Sequence, residues 1–114
     1  MAPEKINREN ISHILKLVEK NYAKVNHRSE NIDFKTKMTV YRIGEGIYYS
    51  GEFVDDVRQG KGYQYWENGM YYAGYWKNGR MEGEGFLLHE NLDYYEGEGK
   101  HGQAHGYGIH QRAD

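Results

Sequence analysis

A fixed spacing of tyrosine and glycine recurs in the C-terminal two thirds of the chain and constrains the fold more than any other feature of the sequence. Tyr49, Tyr72 and Tyr95 are evenly spaced, since 72 − 49 and 95 − 72 are both 23, and glycines follow each of them two, eleven and thirteen positions later. Repetition of this length is typical of an array in which one supersecondary unit packs against the next. The residues that define the repeat are Tyr49, Gly51, Phe53, Gly60 and Gly62 in the first copy, Tyr72, Gly74, Trp76, Gly79, Gly83 and Gly85 in the second, and Tyr95, Gly97, Gly102, Gly106 and Gly108 in the third.

Each copy is predicted to be a β-hairpin. In the second copy, YYAGYW (71–76) and GEGFLLH (83–89) have the tyrosine-rich or alternating character of strands, and KNGR (77–80) between them contains the Asn-Gly pair that favours a tight turn. ENG (67–69) marks a further turn that joins one hairpin to the next. The predicted fold is therefore mainly β, an antiparallel meander of consecutive hairpins.

Glycine normally weakens the interior of a strand, so its abundance beside tyrosine needs a physical reason. All fifteen glycines lie at or beyond Gly44, in the same part of the chain as eleven of the twelve tyrosines. Because glycine has no side chain, an aromatic ring from a neighbouring position can lie directly on its backbone. We expect the rings of successive hairpins to stack over a track of glycines.

This pattern resembles the MORN repeat (membrane occupation and recognition nexus), whose unit of about 23 residues runs Tyr-x-Gly-x-Trp/Phe, a turn with Asn-Gly, and then Gly-x-Gly. The matching segments are YSGEF…GKG, YAGYWKNG…GEG and YEGEGKHG…GYG. The copies are assigned to residues 49–71, 72–94 and 95–114 of an array that begins at residue 38.

The two ends of the array depart from the pattern. A partial copy is predicted at 38–48, because Gly46 and Tyr48 stand one repeat length before Gly69 and Tyr71. In the first full copy an aspartate, Asp56, occupies the place of the turn glycine. In the third copy Gly99 replaces the aromatic residue, and the sequence of the second strand ends in IHQRAD. Both departures indicate a terminal copy.

Residues 1–37 are predicted to form a separate segment, an N-terminal amphipathic α-helix followed by a linker. Apolar residues recur there at spacings of three and four, the periodicity of a helix with one apolar face, and Asn7 is the predicted N-cap. Residues 26–37 have no consistent period and are assigned to the linker. The apolar face consists of Ile11, Ile14, Leu15, Val18, Tyr22 and Val25.

The sequence leaves two roles open for this helix. A single-layer sheet leaves a face uncovered and two edges unpaired, so the helix either covers one face of the sheet or docks a partner protein through the apolar residues just named. The open edge at GYGIHQR (106–112) is another place where a partner could dock, by strand addition. A homo-oligomer with sheets joined end to end or face to face is a further alternative. The sequence does not decide which face is covered, since Tyr71 and Tyr72 are adjacent and point to opposite faces.

The resemblance implies a non-enzymatic structural or adaptor subunit that mediates protein–protein interaction in a larger eukaryotic assembly. The resemblance is to MORN arrays that serve as adaptors in ciliary axonemes and radial spokes, in the parasite cytoskeleton and at membrane junctions. Where such arrays are fused to lipid kinases or a lysine methyltransferase, the chemistry lies in the attached domain, and this chain has no room for one. On the resemblance alone, the expected location is cytoplasmic and associated with the cilium or cytoskeleton, or alternatively peripheral on an organelle or in a mitochondrial complex.

Peripheral membrane tethering is the alternative function. Lys16, Lys20 and Lys24 make one side of the helix basic and are the candidate contacts to anionic phospholipid. Residues 1–40 carry eight basic and five acidic residues, or +3, whereas residues 41–114 carry seven and twelve, or −5. Only the helix is therefore expected to approach such a surface.

Composition and motifs argue against other classes of function. The chain has no cysteine, which fits a reducing compartment, and no apolar run long enough to cross a membrane. GEGKHG (97–102) spells a phosphate-binding fingerprint, but Gly97 and Gly102 follow the repeat, and the acidic balance of the repeats disfavours nucleic acid. We expect no enzymatic activity, cofactor or metal.

The remaining titratable residues of the array are interpreted as surface groups. The histidines near the C-terminus show no pattern that places them inward to converge on a metal, and the glutamates at spacing two share an open strand face rather than a cleft. The histidines are His89, His101, His105 and His110, and the glutamate pairs are Glu82 with Glu84 and Glu96 with Glu98.

Overall fold

A computed structural model describes residues 2–25 and 38–113 of the chain. Eight strands and one α-helix follow each other, with a short 3-10 turn at Arg8–Ile11 before the helix. The elements are β1 (Glu4–Ile6), α1 (Ser12–Lys24), β2 (Val40–Gly44), β3 (Ile47–Val54), β4 (Val57–Trp66), β5 (Tyr71–Lys77), β6 (Arg80–Leu88), β7 (Tyr94–Lys100) and β8 (Gln103–Gln111). The predicted linker, residues 26–37, lies outside the described residues.

The strands form one antiparallel sheet in which the spatial order follows the chain from β1 to β8. This confirms the predicted meander of hairpins with an N-terminal helix. The pairing repeats with the sequence: Gly51 faces Gly62, and the equivalent glycines of the next copy, Gly74 and Gly85, face each other in turn. The same pairing recurs between β7 and β8, so the register of the repeat in the sequence is also the register of the sheet.

Left-handed backbone closes the hairpins within the copies. In the second copy the turn residues Asn78 and Gly79 both have positive φ, 52° and 77°, as a tight two-residue hairpin turn requires. In the first copy Asp55 and Asp56 hold the same conformation at φ of 50° and 63°. Asp56 therefore adopts at some strain a conformation that glycine adopts freely in the other copies.

The first strand, β1, was not predicted. Glu4–Ile6 pairs antiparallel with β2, and the Arg42 guanidinium lies 2.8 Å from the Glu4 carboxylate across that pair. Asn7 then caps the 3-10 turn, where its side-chain oxygen accepts a hydrogen bond of 2.9 Å from the backbone N–H of Glu9. The N-terminal segment therefore extends the sheet by one strand before it becomes helical.

The helix lies on one face of the sheet and forms the main core with it. The ring of Tyr22 stands edge-on to Tyr71 at 6.1 Å and to Phe86 at 5.4 Å between centroids. Tyr71 is thus on the covered face, whereas Tyr72 belongs to a second cluster on the other face. The buried members of the helix-side core are Ile11, Ile14, Leu15, Val18, Tyr22, Val40, Tyr65, Tyr71, Phe86, Leu88 and Tyr94.

Of the two roles left open for the helix, the structure shows the intramolecular one. The predicted docking residues Ile11, Ile14, Leu15, Val18 and Tyr22 are buried against the sheet, and Val25 packs partly buried beside them. An apolar stripe that fills the chain's own core is not exposed to a partner. The opposite side of α1 carries Lys16, Lys20 and Lys24, all exposed.

Candidate functional site

Three tyrosines lie on pairs of glycines along the sheet face opposite α1, which we call the ring face. A Cβ placed on Gly62 would lie 2.0 Å from the Tyr49 hydroxyl oxygen, and one placed on Gly85 would lie 2.3 Å from that of Tyr72. Gly108 is related to Tyr95 in the same way, at 2.2 Å. These distances leave no space for any side chain, so the rings occupy room that only glycine provides, as predicted from the sequence.

The hydroxyl group of each of these tyrosines donates a hydrogen bond to a backbone carbonyl of its own strand. The Tyr49 hydroxyl donates to the carbonyl of Glu52 at 2.9 Å, and the Tyr72 hydroxyl donates to that of Tyr75 at 3.1 Å. Tyr95 repeats the bond with Glu98 at 2.7 Å. The hydrogen bond satisfies a polar atom that the glycine floor cannot pair, and it fixes the ring flat against the sheet.

A second set of rings fills the spaces between the tyrosines in the first two copies. Trp76 lies between Tyr49 and Tyr72, with centroid distances of 5.7 and 5.0 Å and near-perpendicular planes, the edge-to-face geometry that aromatic pairs prefer. Its indole N–H donates to the carbonyl of Gly62 at 3.2 Å. The Arg58 guanidinium lies over the indole at 4.4 Å from its centroid.

The first copy uses Phe53 in the same place. Its ring packs edge-on against Tyr49 at 4.9 Å and against Tyr41 at 5.1 Å. Positions 53, 76 and 99 are successive members of the repeat register. Phe53 and Trp76 therefore each supply one ring that packs beside the tyrosine four positions earlier in the sequence.

Burial keeps Tyr49 and Tyr72 of the ring face neutral. It raises the pKa of Tyr49 to about 12, against which the nearby positive charge of Arg58 acts only partly. Burial also raises the pKa of Tyr72, and the hydrogen bond to Tyr75 offsets part of that rise. A phenol with a raised pKa is a poor general base or nucleophile near neutral pH, so these groups serve packing rather than chemistry.

The third copy leaves an open groove on the ring face, which we call the Gly99 groove. Gly99 stands where Phe53 and Trp76 stand in the earlier copies, and a groove of about 490 Å³ lies beside it. Its apolar walls are Tyr72, Met81, Leu87 and Tyr95, with Gly85 in the floor. Sequence analysis identified Gly99 as a departure from the repeat but did not infer a groove, because the inference depends on the rings of two neighbouring copies.

Two of the predicted surface groups, Glu82 and His110, have structural partners. Glu82 accepts a hydrogen bond of 3.0 Å from the backbone N–H of His101, and this bond lowers the pKa of its carboxyl group. The imidazole of His110 lies against the ring of Tyr95 at 4.5 Å. Within residues 2–25 and 38–113, no three histidine or acidic side chains converge as a metal site.

In the part of the chain that the structure describes, no helix is both long enough and apolar enough to span a membrane. Two surfaces that the fold leaves open are candidate interaction features: the ring face with the Gly99 groove, and the basic outer side of α1.

Comparison with known families agrees with this architecture. The family model of the MORN repeat matches three segments of the chain, residues 49–71, 72–93 and 95–114, which together exceed half of its length. A search of curated proteins found no match. MORN repeats are in general modules that bind proteins or membrane lipids, and the family is a binding and scaffold module rather than an enzyme. The chain belongs to the MORN-repeat family.

Proposed function

We propose that this protein is a non-enzymatic structural adaptor that binds a partner protein through the ring face, as one subunit of a larger eukaryotic assembly. The observation that carries the proposal is the unequal covering of the sheet. The helix buries its apolar stripe on one face, whereas no described element covers the ring face. Partly exposed apolar side chains remain there, namely Ile43, Phe53, Trp66, Met81 and Leu87.

The chemistry of the ring face suits a protein partner. Aromatic and methionine side chains are enriched at the centres of protein interfaces, and the aromatic rings supply a large contact area at a low entropic cost. The rings are already held in place by glycine floors and hydroxyl hydrogen bonds, so a partner would not have to order them. For the assembly itself, the family resemblance alone supports a ciliary or cytoskeletal complex in the cytoplasm, or alternatively an organellar or mitochondrial one.

The test is affinity purification of the tagged protein from its own cells with two matched variants. Leu87→Glu places a charge in the Gly99 groove, and Ile109→Glu makes the same change in the third copy on the opposite face of the sheet, where Ile109 is 39% exposed. We expect the first variant to lose the stoichiometric partner and the second to retain it, with both folded by circular dichroism. Retention by Leu87→Glu, or loss only by Ile109→Glu, contradicts binding through the ring face.

A membrane-tethering function has one specific observation in its favour, the exposed row of Lys16, Lys20 and Lys24. Because the apolar stripe of α1 is in the core, such binding would be electrostatic, with a contribution of about 1 kcal/mol per lysine near an anionic surface. Sedimentation with phosphatidylserine vesicles at low salt tests it. Binding that disappears when the three lysines are changed to glutamate would favour tethering, and no binding by the unmodified protein would remove it.

A further inference from the structure

The Gly99 groove has a filled counterpart in the same molecule, the place occupied by Trp76. Trp76 on β5 pairs with Gly60 on β4, and one repeat later Gly99 on β7 pairs with Gly83 on β6. The two tyrosines that flank the indole, Tyr49 and Tyr72, correspond to Tyr72 and Tyr95 beside the groove. The groove is therefore the space of one missing ring in a regular series.

The carbonyl oxygen that accepts the hydrogen bond of the Trp76 indole also has a counterpart beside the groove. The Trp76 N–H donates to the carbonyl of Gly62, and Gly85 holds the equivalent register position in the floor of the groove. The rest of the lining differs: Ala104 pairs with Gly99 where Met81 pairs with Trp76, and the polar side chains of His89, Asp93, His110 and Arg112 also line the groove. Where Arg58 lies over Trp76, the residue at the corresponding position beside the groove is Met81, whose thioether packs well against aromatic rings.

We propose that the Gly99 groove binds the indole side chain of a tryptophan carried by a peptide segment of a partner protein. The proposal rests on the proposed function and names the chemistry that the ring face recognises. Tryptophan fits better than the smaller aromatic residues because two features of the Trp76 site recur, namely the flanking tyrosines and the register position of the carbonyl that accepts the indole N–H. Aromatic anchors in pre-formed apolar pockets are the usual centres of binding energy in protein interfaces.

The tryptophan is expected from a partner rather than from a second copy of this chain. Trp76 is only 5% exposed, and Trp66 packs partly buried in the ring-face cluster. The most exposed aromatic residue of the described chain is Tyr107, at 88%, on the opposite face of β8 from His110 and the groove. Tyrosine lacks the indole N–H that the site is built to accept.

The decisive variant fills the groove from inside the chain. A Cβ on Gly99 would find its nearest neighbour, the carbonyl oxygen of Gln103, at 3.6 Å, which is ordinary contact, and the φ of Gly99 is not positive. Gly99→Trp should therefore fold, raise Tm by several degrees and add a tryptophan with blue-shifted fluorescence. Tyr107→Trp adds a tryptophan on the opposite, exposed surface and is the matched control. Gly99→Leu is a smaller filler that keeps the test open if Gly99→Trp does not fold.

The first measurement uses the full ¹⁵N-labelled chain and N-acetyltryptophanamide as the probe, with N-acetylleucinamide as the control ligand. We expect amide shifts at Gly85, Gly97 and Gly99 with a Kd on the order of 1 mM. The affinity should fall at least about tenfold in Gly99→Trp and stay unchanged in Tyr107→Trp. No shift at these residues, or shifts that persist in both groove-filling variants, overturns the proposal.

The second measurement separates this inference from the proposed function. A random-peptide display library is selected against the full chain, and the recovered peptides are measured again with Gly99→Trp. Tryptophan-containing peptides that lose affinity with Gly99→Trp support the inference. Peptides that bind the ring face without tryptophan and ignore Gly99→Trp overturn it but leave the adaptor function standing, and failure to recover any peptide counts against both. Self-association that both Tyr107→Ala and Gly99→Trp abolish would instead identify a second copy as the occupant.

Discussion

The first two copies of the repeat bury side chains on both faces of the sheet, whereas no side chain of residues 95–113 in the third copy is fully buried. In the first two copies α1 packs on one side, with Phe86 1% exposed beneath it, and Trp76 fills the other side at 5% exposed. In the third copy the residue equivalent to Phe86 is Ile109, 39% exposed, and the residue equivalent to Trp76 is Gly99. Backbone pairing and the packing of Tyr95 on its glycines therefore continue the sheet in the third copy without a buried core. Comparing the copies separates the contribution of strand pairing from that of burial.

The largest expected difference lies between Phe86 and Ile109, which hold the same register position. Phe86→Ala should lower the free energy of unfolding by about 3–5 kcal/mol, because it leaves a cavity beneath Tyr22. Ile109→Ala removes a side chain that is partly in water and should cost less than about 1 kcal/mol. Urea denaturation of both variants measures the pair. Equal losses would mean that the third copy is buried as deeply as the second.

A smaller difference is expected between two glycines of the second and third copies. Gly85→Ala drives a methyl group into the ring of Tyr72, which is buried and hydrogen-bonded, and should cost about 1–3 kcal/mol. Gly99→Ala meets only ordinary contacts and should be neutral or slightly stabilising, since alanine loses less backbone entropy on folding. Thermal melts compare the stability of the two variants. A loss at Gly99 as large as at Gly85 would contradict an open groove.

High pH provides a third way to sharpen the comparison. Burial raises the pKa of Tyr49 and of Tyr65, each to about 12, and raises that of Tyr71 well above its ordinary value of 10. Above pH 10 the unfolded chain loses these protons while the folded chain keeps them, so stability is fully present below pH 10 and falls as pH rises towards 12. Tyrosinate absorbance and urea midpoints between pH 9 and 12 measure the effect. Full ionisation of all twelve tyrosines in the folded protein near pH 10 would contradict it.

The smallest expected effect concerns the turn of the first copy. Asp56→Gly should stabilise by about 0.5 kcal/mol, because relief of left-handed strain outweighs the larger entropy of the unfolded glycine chain. Gly79→Asp makes the reciprocal change in the second copy and should destabilise by a similar amount, since space for a Cβ exists there. Melting temperatures compare the two. The same sign for both variants would show that turn strain is not the cause.

Sequence analysis predicted the meander and the glycine floors because both follow from one period. Tyr71 and Tyr72 are adjacent in sequence and lie on opposite faces of the sheet. Nothing in the sequence shows which of the two faces α1 covers, so the covered face was not predictable. Strand β1 carries a single apolar residue, Ile6, and owes its conformation to pairing with β2, which gives no local signal. The Gly99 groove was equally hidden, because the absence of one side chain becomes a site only between rings from different copies.

The position of α1 at the start of the chain has a consequence for how the molecule folds. Hairpins in a meander join neighbouring segments and close short loops, so they form early and locally. The helix, by contrast, is synthesised first, yet its burial depends on Phe86, Leu88 and Tyr94, which leave the ribosome last among its contacts. Until then part of its apolar face stays in water, where an isolated helix of this length is marginal. Formation of α1 therefore indicates that the second copy is complete. In a chain truncated before β6, the apolar side chains of α1 that are buried in the folded protein would be exposed.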